Sequence, residues 1–467
     1  HYPLRRQRQM CIRDSSRKVH AVRSLFTLSA GELWARRAGE VLKNGLKPSL
    51  AGDIWSDRNV SLLGLCQYHM TSDWTIREMV LAATPFNERH TGEAIDDVTR
   101  KACVAAGLTY DVFSSVFFPV SDNASNMKKG WQGFGRGPCA VHTVQLSVKA
   151  YLNHPSIKAM RDKEHGIVAH FSMSTGVDGL LAFQKCQELC NLPKHHPVKD
   201  VDTRWSSAHD QMEFFRLHQR AIQMYDCNHS KNAGAAYKQH QLSLADWQMN
   251  LESVAVLQPI ADWTQHMQET KYPTLPLVLP TIYGLIDGLA PHTPLKVSFC
   301  NATPYDLAPG QLEAGVMEAR TLLYDDFKRR WVSQLPFETK RTYAIAIMLH
   351  PCFKHFDFVD EYTFTLASDK AWAKRELMTE WLAAYKPAIR NGHLSYVGMD
   401  ALPGSSHDAD ELCGQSSPGE PSASHAEVAS QGEIAEAPQA LLKKRKVTLG
   451  TLLGGKAKSK QVVRPII

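Results

Sequence analysis

The apolar pattern in the first third of the chain predicts β-strands joined by a helix. Two continuous apolar runs of strand length, residues 60–68 (VSLLGLCQY) and 116–120 (VFFPV), are typical of buried strands. Between them, four apolar residues recur at the spacing of one helix face: Ile95, Val98, Ala102 and Ala105. Strands that alternate with a helix in this way favour an α/β sheet.

The pattern then changes to intervals of three and four residues, which predict helices. Three apolar stripes carry this signal: Val144, Val148, Tyr151 and Leu152; Phe214, Leu217, Ala221 and Met224; Leu251, Val254, Leu257 and Ala261. We expect residues 156–398 to be mainly α-helical and residues 16–47 to be a helical lead-in. The most apolar stretch, residues 272–290, contains three prolines and Asp287, so no membrane span is expected.

Both ends of the chain have unusual compositions. Residues 1–15 resemble a translated sequencing adaptor, and we expect them to be a processing artefact. Residues 401–440 carry seven acidic residues and no Lys or Arg, which predicts a disordered acidic linker over about 399–440. Residues 441–467 carry eight Lys or Arg and no acidic residue, and form a predicted basic tail.

The charge balance and the cysteines narrow the cellular setting. The chain has 53 Lys and Arg against 47 Asp and Glu, a net charge of +6 that by itself indicates no particular partner. Ten cysteines scattered through 467 residues favour free thiols in a reducing compartment. The run Lys443, Lys444, Arg445 and Lys446 is a candidate nuclear-import signal or phosphate-binding patch, with a solvated charge run as the alternative.

Two aspartates associated with predicted strands are the candidate catalytic and metal-binding residues. Asp53 lies in a strand-like stretch, and Asp122 follows the apolar run 116–120. If the strands are neighbours, both carboxylates project at one end of the sheet, within about 4–8 Å, and can share Mg²⁺ or Mn²⁺. The alternative for each aspartate is a turn or a helix N-cap.

Short motifs run in order through the chain: Asp53-Ile-Trp-Ser, Tyr68-His69 with Trp74, His90-Thr91-Gly92, Ser121-Asp122-Asn123-Ala124-Ser125-Asn126, Cys139-Ala-Val-His142 and Thr203-Arg204-Trp205. This succession resembles the hAT (hobo/Activator) superfamily of DNA transposases, of the type associated with BED fingers. Two later stretches fit the same pattern: Thr270-Lys271-Tyr272-Pro273 and Leu349-His350-Pro351-Cys352-Phe353-Lys354. The resemblance covers roughly residues 45–385.

This resemblance implies a ribonuclease H-like core, about residues 48–155, interrupted by a large all-α insertion. It implies metal-dependent hydrolysis and strand transfer on DNA, with Asp53 and Asp122 as two of three acidic metal ligands. DNA is then the expected partner, the nucleus the expected location, and a homo-oligomer the expected form of the full-length protein.

Two further pairs of residues are candidates for roles at the site. The resemblance implies that Cys139 and His142 support the active site from inside the fold. No zinc is expected there, because a zinc site needs about four ligands. Arg204 and Trp205 suit nucleic acid, since a guanidinium binds phosphate and an indole stacks on an unpaired base. The alternative is a core Trp beside a surface Arg.

The sequence also departs from the family pattern. The third carboxylate belongs to a Ser-x-x-Glu-Arg motif, which does not occur here, and residues 16–50 lack the paired Cys and His ligands of a BED finger. We therefore expect a fragment or truncated copy that is inactive by itself. The second hypothesis is a domesticated, non-catalytic nuclear DNA-binding or protein-interaction factor.

Overall fold

A computed structural model describes residues 48–385 of the chain. Its interior gaps are 58–59, 71–74, 87, 106–117, 175, 177, 202–204, 230–231, 269–271, 300–302 and 359–365. The predicted segments 1–15, 16–47, 399–440 and 441–467 lie outside the described residues, and so do Arg204 and the run from Lys443 to Lys446.

A five-stranded mixed sheet organises the first part of the described chain. Its strands are β1 (Ser49–Asp57), β2 (Val60–Met70), β3 (Ile76–Pro85), β4 (Val120–Ser121) and β5 (Gly137–Pro138). The spatial order is β3-β2-β1-β4-β5. Strands β1, β2 and β3 form an antiparallel meander, while β4 is parallel to both β1 and β5.

Helices α1 (Gly92–Ala105) and α2 (Ser125–Gly130) belong to the same unit as the sheet. Alternate strand residues, including Leu63, Leu65 and Met79, are buried in one core with Ile95 of α1 and Trp131. The apolar face of the strands, made of alternate residues, thus packs against the apolar face of α1 in this core.

A larger helical part follows. Its helices are α3 (Ala140–Leu152), α4 (Pro155–Met173), α5 (Leu180–Leu189), α6 (Trp205–His229), α7 (Gly234–Lys238), α8 (Leu244–Met267), α9 (Val278–Leu289), α10 (Ala314–Lys328), α11 (Phe337–Met348) and α12 (Leu366–Glu380). A short hairpin, β6 (Leu295–Val297) and β7 (Tyr305–Leu307), lies between α9 and α10. The predicted α/β class is confirmed, with helix predominating after the sheet.

Two apolar cores lie in this helical part. The larger core contains residues of α3, α8, α9, α10 and α11, among them Tyr151, Trp263 and Phe327. The second is rich in aromatic side chains and joins α4, α5 and α6 through residues such as Phe171 and Phe183. Within the described residues, no helix combines the length and apolarity needed to cross a membrane.

Candidate functional site

The sheet brings Asp53 and Asp122 to neighbouring positions. In the parallel pairing of β1 with β4, Ala51 lies opposite Val120 and Gly52 lies opposite Ser121. One residue further along both chains come Asp53, still within β1, and Asp122, which directly follows β4. Adjacent strands are about 4.8 Å apart. The parallel pairing of β1 with β4 therefore places the backbones of the two candidate residues at the same part of the sheet.

Local hydrogen bonds orient both aspartates. The backbone N–H of Ile54 donates to Asp53 Oδ1 at 2.9 Å, and that of Ala124 donates to Asp122 Oδ1 at 3.2 Å. The second bond is an Asx-type turn, which stabilises the sharp exit of the chain from β4. Asp53 is exposed and Asp122 is half-buried, so solvent and solute reach the pair.

Arg136 holds the chain around Asp122 and was not identified from the sequence. Its guanidinium donates to Ser121 Oγ at 2.6 Å, to the Ser121 carbonyl at 3.2 Å and also to the Asp122 carbonyl. A further bond reaches Asn123 Oδ1 at 3.2 Å. Burial lowers the pKa of Arg136, and the charge of Asp122 partly offsets this effect. The planar fork of donors thereby fixes three consecutive residues of the turn.

Cys139 and His142 lie at the start of α3, beside the two aspartates. Burial raises the pKa of the Cys139 thiol, but its hydrogen bonds with His142 and Val141 and the charge of His142 together outweigh burial and leave the pKa below its ordinary value. The same side-chain bond raises the pKa of His142, and the charges of Asp53 and Asp122 raise it further. His142 therefore interacts electrostatically with both carboxylates.

Two glycines allow tryptophans to pack closely on opposite faces of the sheet near Asp53. A Cβ on Gly52 would lie 2.5 Å from Cζ2 of Trp131, whose ring is buried beneath β1. A Cβ on Gly64, the residue paired with Asp53, would lie 2.6 Å from Cζ3 of Trp55. Both separations are too short for a side chain, so each glycine leaves the space that an indole occupies.

The structure buries Trp205 at the beginning of α6. Its side chain is 4% exposed and belongs to the large helical core, where it meets His209 edge to face. Stacking on a DNA base would require its neighbours to move. Near the start of α6, Asp200 accepts hydrogen bonds from Arg161 and from Ser207 Oγ. The base-stacking role of Trp205 stays a prediction.

The described residues offer a limited set of metal ligands. They contain no group of three or more His, Cys, Asp or Glu side chains that could hold a metal ion. Within these residues, the pair Asp53 and Asp122 thus has no third such ligand. The carboxylate oxygens of the pair are nevertheless the donor type that Mg²⁺ and Mn²⁺ prefer.

Comparison with known proteins gives one distant similarity. No protein-family model matches the chain. A protein of Talaromyces stipitatus named "Putative transcriptional regulator tpeD" is 22% identical over 273 residues, which cover 50% of this chain and 31% of that protein. The chain therefore matches about a third of that relative's length.

Proposed function

We propose that the chain derives from a hAT-type DNA transposase and keeps part of a metal-dependent site for DNA phosphodiester chemistry. The placement of Asp53 on β1 and of Asp122 directly after β4, the parallel neighbour of β1, is the observation that carries this proposal. Two acidic residues at the same part of the sheet, open to solute, are the minimum needed to bring a divalent cation to a phosphate.

The arrangement of the strands supports the ribonuclease H-like part of the proposal. In that fold an antiparallel three-stranded meander is followed, after a helix, by two strands parallel to the first. The chain has this order, β3-β2-β1-β4-β5, with α1 between β3 and β4. The large helical part would correspond to the family's all-α insertion.

The residues around the aspartates suit a site for Mg²⁺ or Mn²⁺. Asp53 and Asp122 would hold the ion, which when bound activates a water or hydroxyl nucleophile and stabilises the leaving oxygen. Arg136 keeps the Asp122 turn in place through its carbonyl contacts. His142, with its raised pKa, reduces the repulsion between the two carboxylates when it is protonated. With no third carboxylate identified, we expect weak metal binding and no strand transfer by this chain alone.

Metal binding tests the proposal directly. Titration of the purified chain with Mn²⁺, followed by electron paramagnetic resonance of the free ion, should show weak binding. This binding should fall at least about tenfold in Asp53→Asn and in Asp122→Asn, since each carboxylate supplies ligand oxygens. Asp97→Asn is the matched control, because Asp97 is an exposed acid of α1 that pairs with Lys101. Equal Mn²⁺ binding by all four proteins would refute the metal site.

The similarity to a named regulator favours a second candidate, a domesticated nuclear factor that binds DNA or protein without catalysis. In this alternative the carboxylates have no catalytic use. DNA binding would then be unchanged by Mn²⁺ and by the substitutions Asp53→Asn and Asp122→Asn. A gel-shift series with and without Mn²⁺ separates the two candidates, because the transposase-derived site predicts that both changes alter binding.

A further inference from the structure

A flat aromatic surface lies beside the candidate metal site. Trp55 is two residues beyond Asp53 on β1, so both side chains project to the same face of the sheet. The side chain of Trp55 is 39% exposed, and no other tryptophan of the described residues is among the exposed large apolar side chains. An exposed indole at this position requires an explanation, since tryptophan is generally largely buried.

The sheet contains a recess for this indole. Gly64 on β2 pairs with Asp53, and its missing Cβ leaves room for the six-membered ring of Trp55. The ring therefore leans across β2 at the level of Asp53, with β2 supporting it from below. Packing of this kind fixes the orientation of an aromatic ring while leaving exposed surface.

We propose that Trp55 is the stacking platform for an unpaired nucleobase of the DNA strand whose phosphate lies at Asp53 and Asp122. This inference rests on the proposed function and adds a base-binding position to it. A nucleobase fits the surroundings because it is neutral and planar, so the nearby carboxylates do not repel it. Every base has a π-face, so the contact favours unpaired DNA with little dependence on sequence.

The position of Trp55 suits this role better than that of Trp205. Trp205 is buried in the helical core, whereas Trp55 lies on the same sheet face as Asp53. The Cα atoms of Trp55 and Asp53, two residues apart on β1, are separated by about 7 Å. Neighbouring nucleotides in a strand are separated by a similar distance, so one strand can contact both.

The test measures binding of a fluorescein-labelled single-stranded oligothymidylate and a matched duplex to the full chain, by anisotropy, with and without Mn²⁺. Trp55→Ala should weaken single-strand binding about 5- to 150-fold, which corresponds to about 1–3 kcal/mol for one stacked base. Duplex binding should change little. Trp55→Phe should keep most of the affinity because it retains a ring.

Two further variants separate stacking from a general structural effect. Gly64→Ala keeps Trp55 but fills its recess, so it should weaken single-strand binding in the same direction. Phe299→Ala removes an aromatic side chain of similar exposure, 41%, after the β6 strand, and should have no effect. Unfolding midpoints measured in parallel identify any variant that is simply destabilised.

The outcomes separate this inference from the proposed function. If Trp55→Ala binds the single strand as wild type does, or loses single-strand and duplex binding equally, the platform is refuted, and a protein-docking role for Trp55 becomes the better explanation. A wild-type chain that binds no single strand would refute it as well. If Trp55→Ala acts selectively while Asp53→Asn leaves Mn²⁺ binding intact, the platform stands and the metal site fails.

Discussion

Glu164 is a carboxyl group enclosed by three helices. Its side chain on α4 is fully buried and accepts a hydrogen bond of 2.6 Å from Asn250 of α8. Burial raises its pKa from 4.5 to about 8, with the bond from Asn250 and the charge of Arg161 opposing the rise. Asp246 and Asp200 raise the pKa slightly further. The group is therefore held in its neutral form at neutral pH.

In Glu164→Gln the free energy of unfolding should fall less at alkaline pH than in the wild type. Because the pKa of Glu164 is higher in the folded state than in the unfolded state, its contribution to the free energy of unfolding is complete below about pH 4.5 and is lost as the pH rises through about 8. Between pH 5 and pH 9 the wild type should lose on the order of 3 kcal/mol more than the variant. Urea unfolding at both pH values measures this difference, and parallel curves for the two proteins would contradict it.

Replacing Gly52 by alanine should cause a steric clash at the centre of the sheet unit. In Gly52→Ala the new Cβ would lie 2.5 Å from the Trp131 ring and 3.2 Å from Leu65, so the free energy of unfolding should fall by about 1–3 kcal/mol. Gly284→Ala in α9 is the control, because a Cβ there meets nothing within 4 Å. That change should stabilise the helix by up to about 1 kcal/mol. A higher unfolding temperature for Gly52→Ala than for Gly284→Ala would show that the Trp131 ring moves aside at little cost.

At the scale of elements, helix α6 carries two histidines that are buried without being charged. His209 and His218 are 5% and 3% exposed, and burial lowers the pKa of both. Asp210, Glu213 and Asp262 act against the shift of His209, whereas the neighbouring His195 adds to that of His218. The ring of His218 also stacks on Phe214 at 4.1 Å.

Acid should weaken the packing of α6. The unfolded imidazoles become protonated near pH 6.5 while the folded ones resist, so stability falls as the pH drops from about 7 to 5. We expect the double variant His209→Gln, His218→Gln to lose less stability over this range, by roughly 1 kcal/mol for each histidine. Exposed His196→Gln is the control. A pH dependence identical to wild type in the double variant would assign the acid sensitivity to other groups.

The elements also show what the sequence could predict. Strand β2 follows from a continuous apolar run of strand length, and helix α1 follows from apolar residues at helical spacing. Together they give the α/β class. Residues 116–117 of the predicted strand 116–120 lie outside the described residues, and of residues 118–120 only Val120 belongs to a strand, β4. Phe118 has a positive φ of 45°, which is incompatible with an extended ladder, and an apolar run records burial without recording pairing.

The candidate site shows the same division between local pattern and tertiary contact. The neighbouring positions of the two strands that carry or precede Asp53 and Asp122 could be anticipated from their apolar patterns. Arg136 and the recess at Gly64 could not, because their partners are contacts between separate elements or strands that no local spacing encodes. The burial of Trp205 is likewise a property of the assembled core.

At the scale of the whole molecule, the run Lys443, Lys444, Arg445 and Lys446 gives a prediction about location. Fused to a fluorescent protein, the chain should accumulate in the nucleus of a eukaryotic cell, and replacing these four residues by Ala should redistribute it to the cytoplasm. Replacing Lys456, Lys458 and Lys460 removes charge from the same basic tail and is the control. Redistribution by both sets of changes would indicate a general charge effect instead of a signal.

Helix α3 joins the two halves of the molecule. Its first turn follows Cys139 and contains His142, which interacts with both aspartates, and its far end, with Val148 and Tyr151, is embedded in the large helical core. Thirteen residues make a rod about 20 Å long. A rigid rod transmits displacement along its axis, so a ligand that shifts the helices around Tyr151 would also move the imidazole that faces the carboxylates. Helix α3 alone would then couple binding in the helical core to the position of His142 beside the carboxylates.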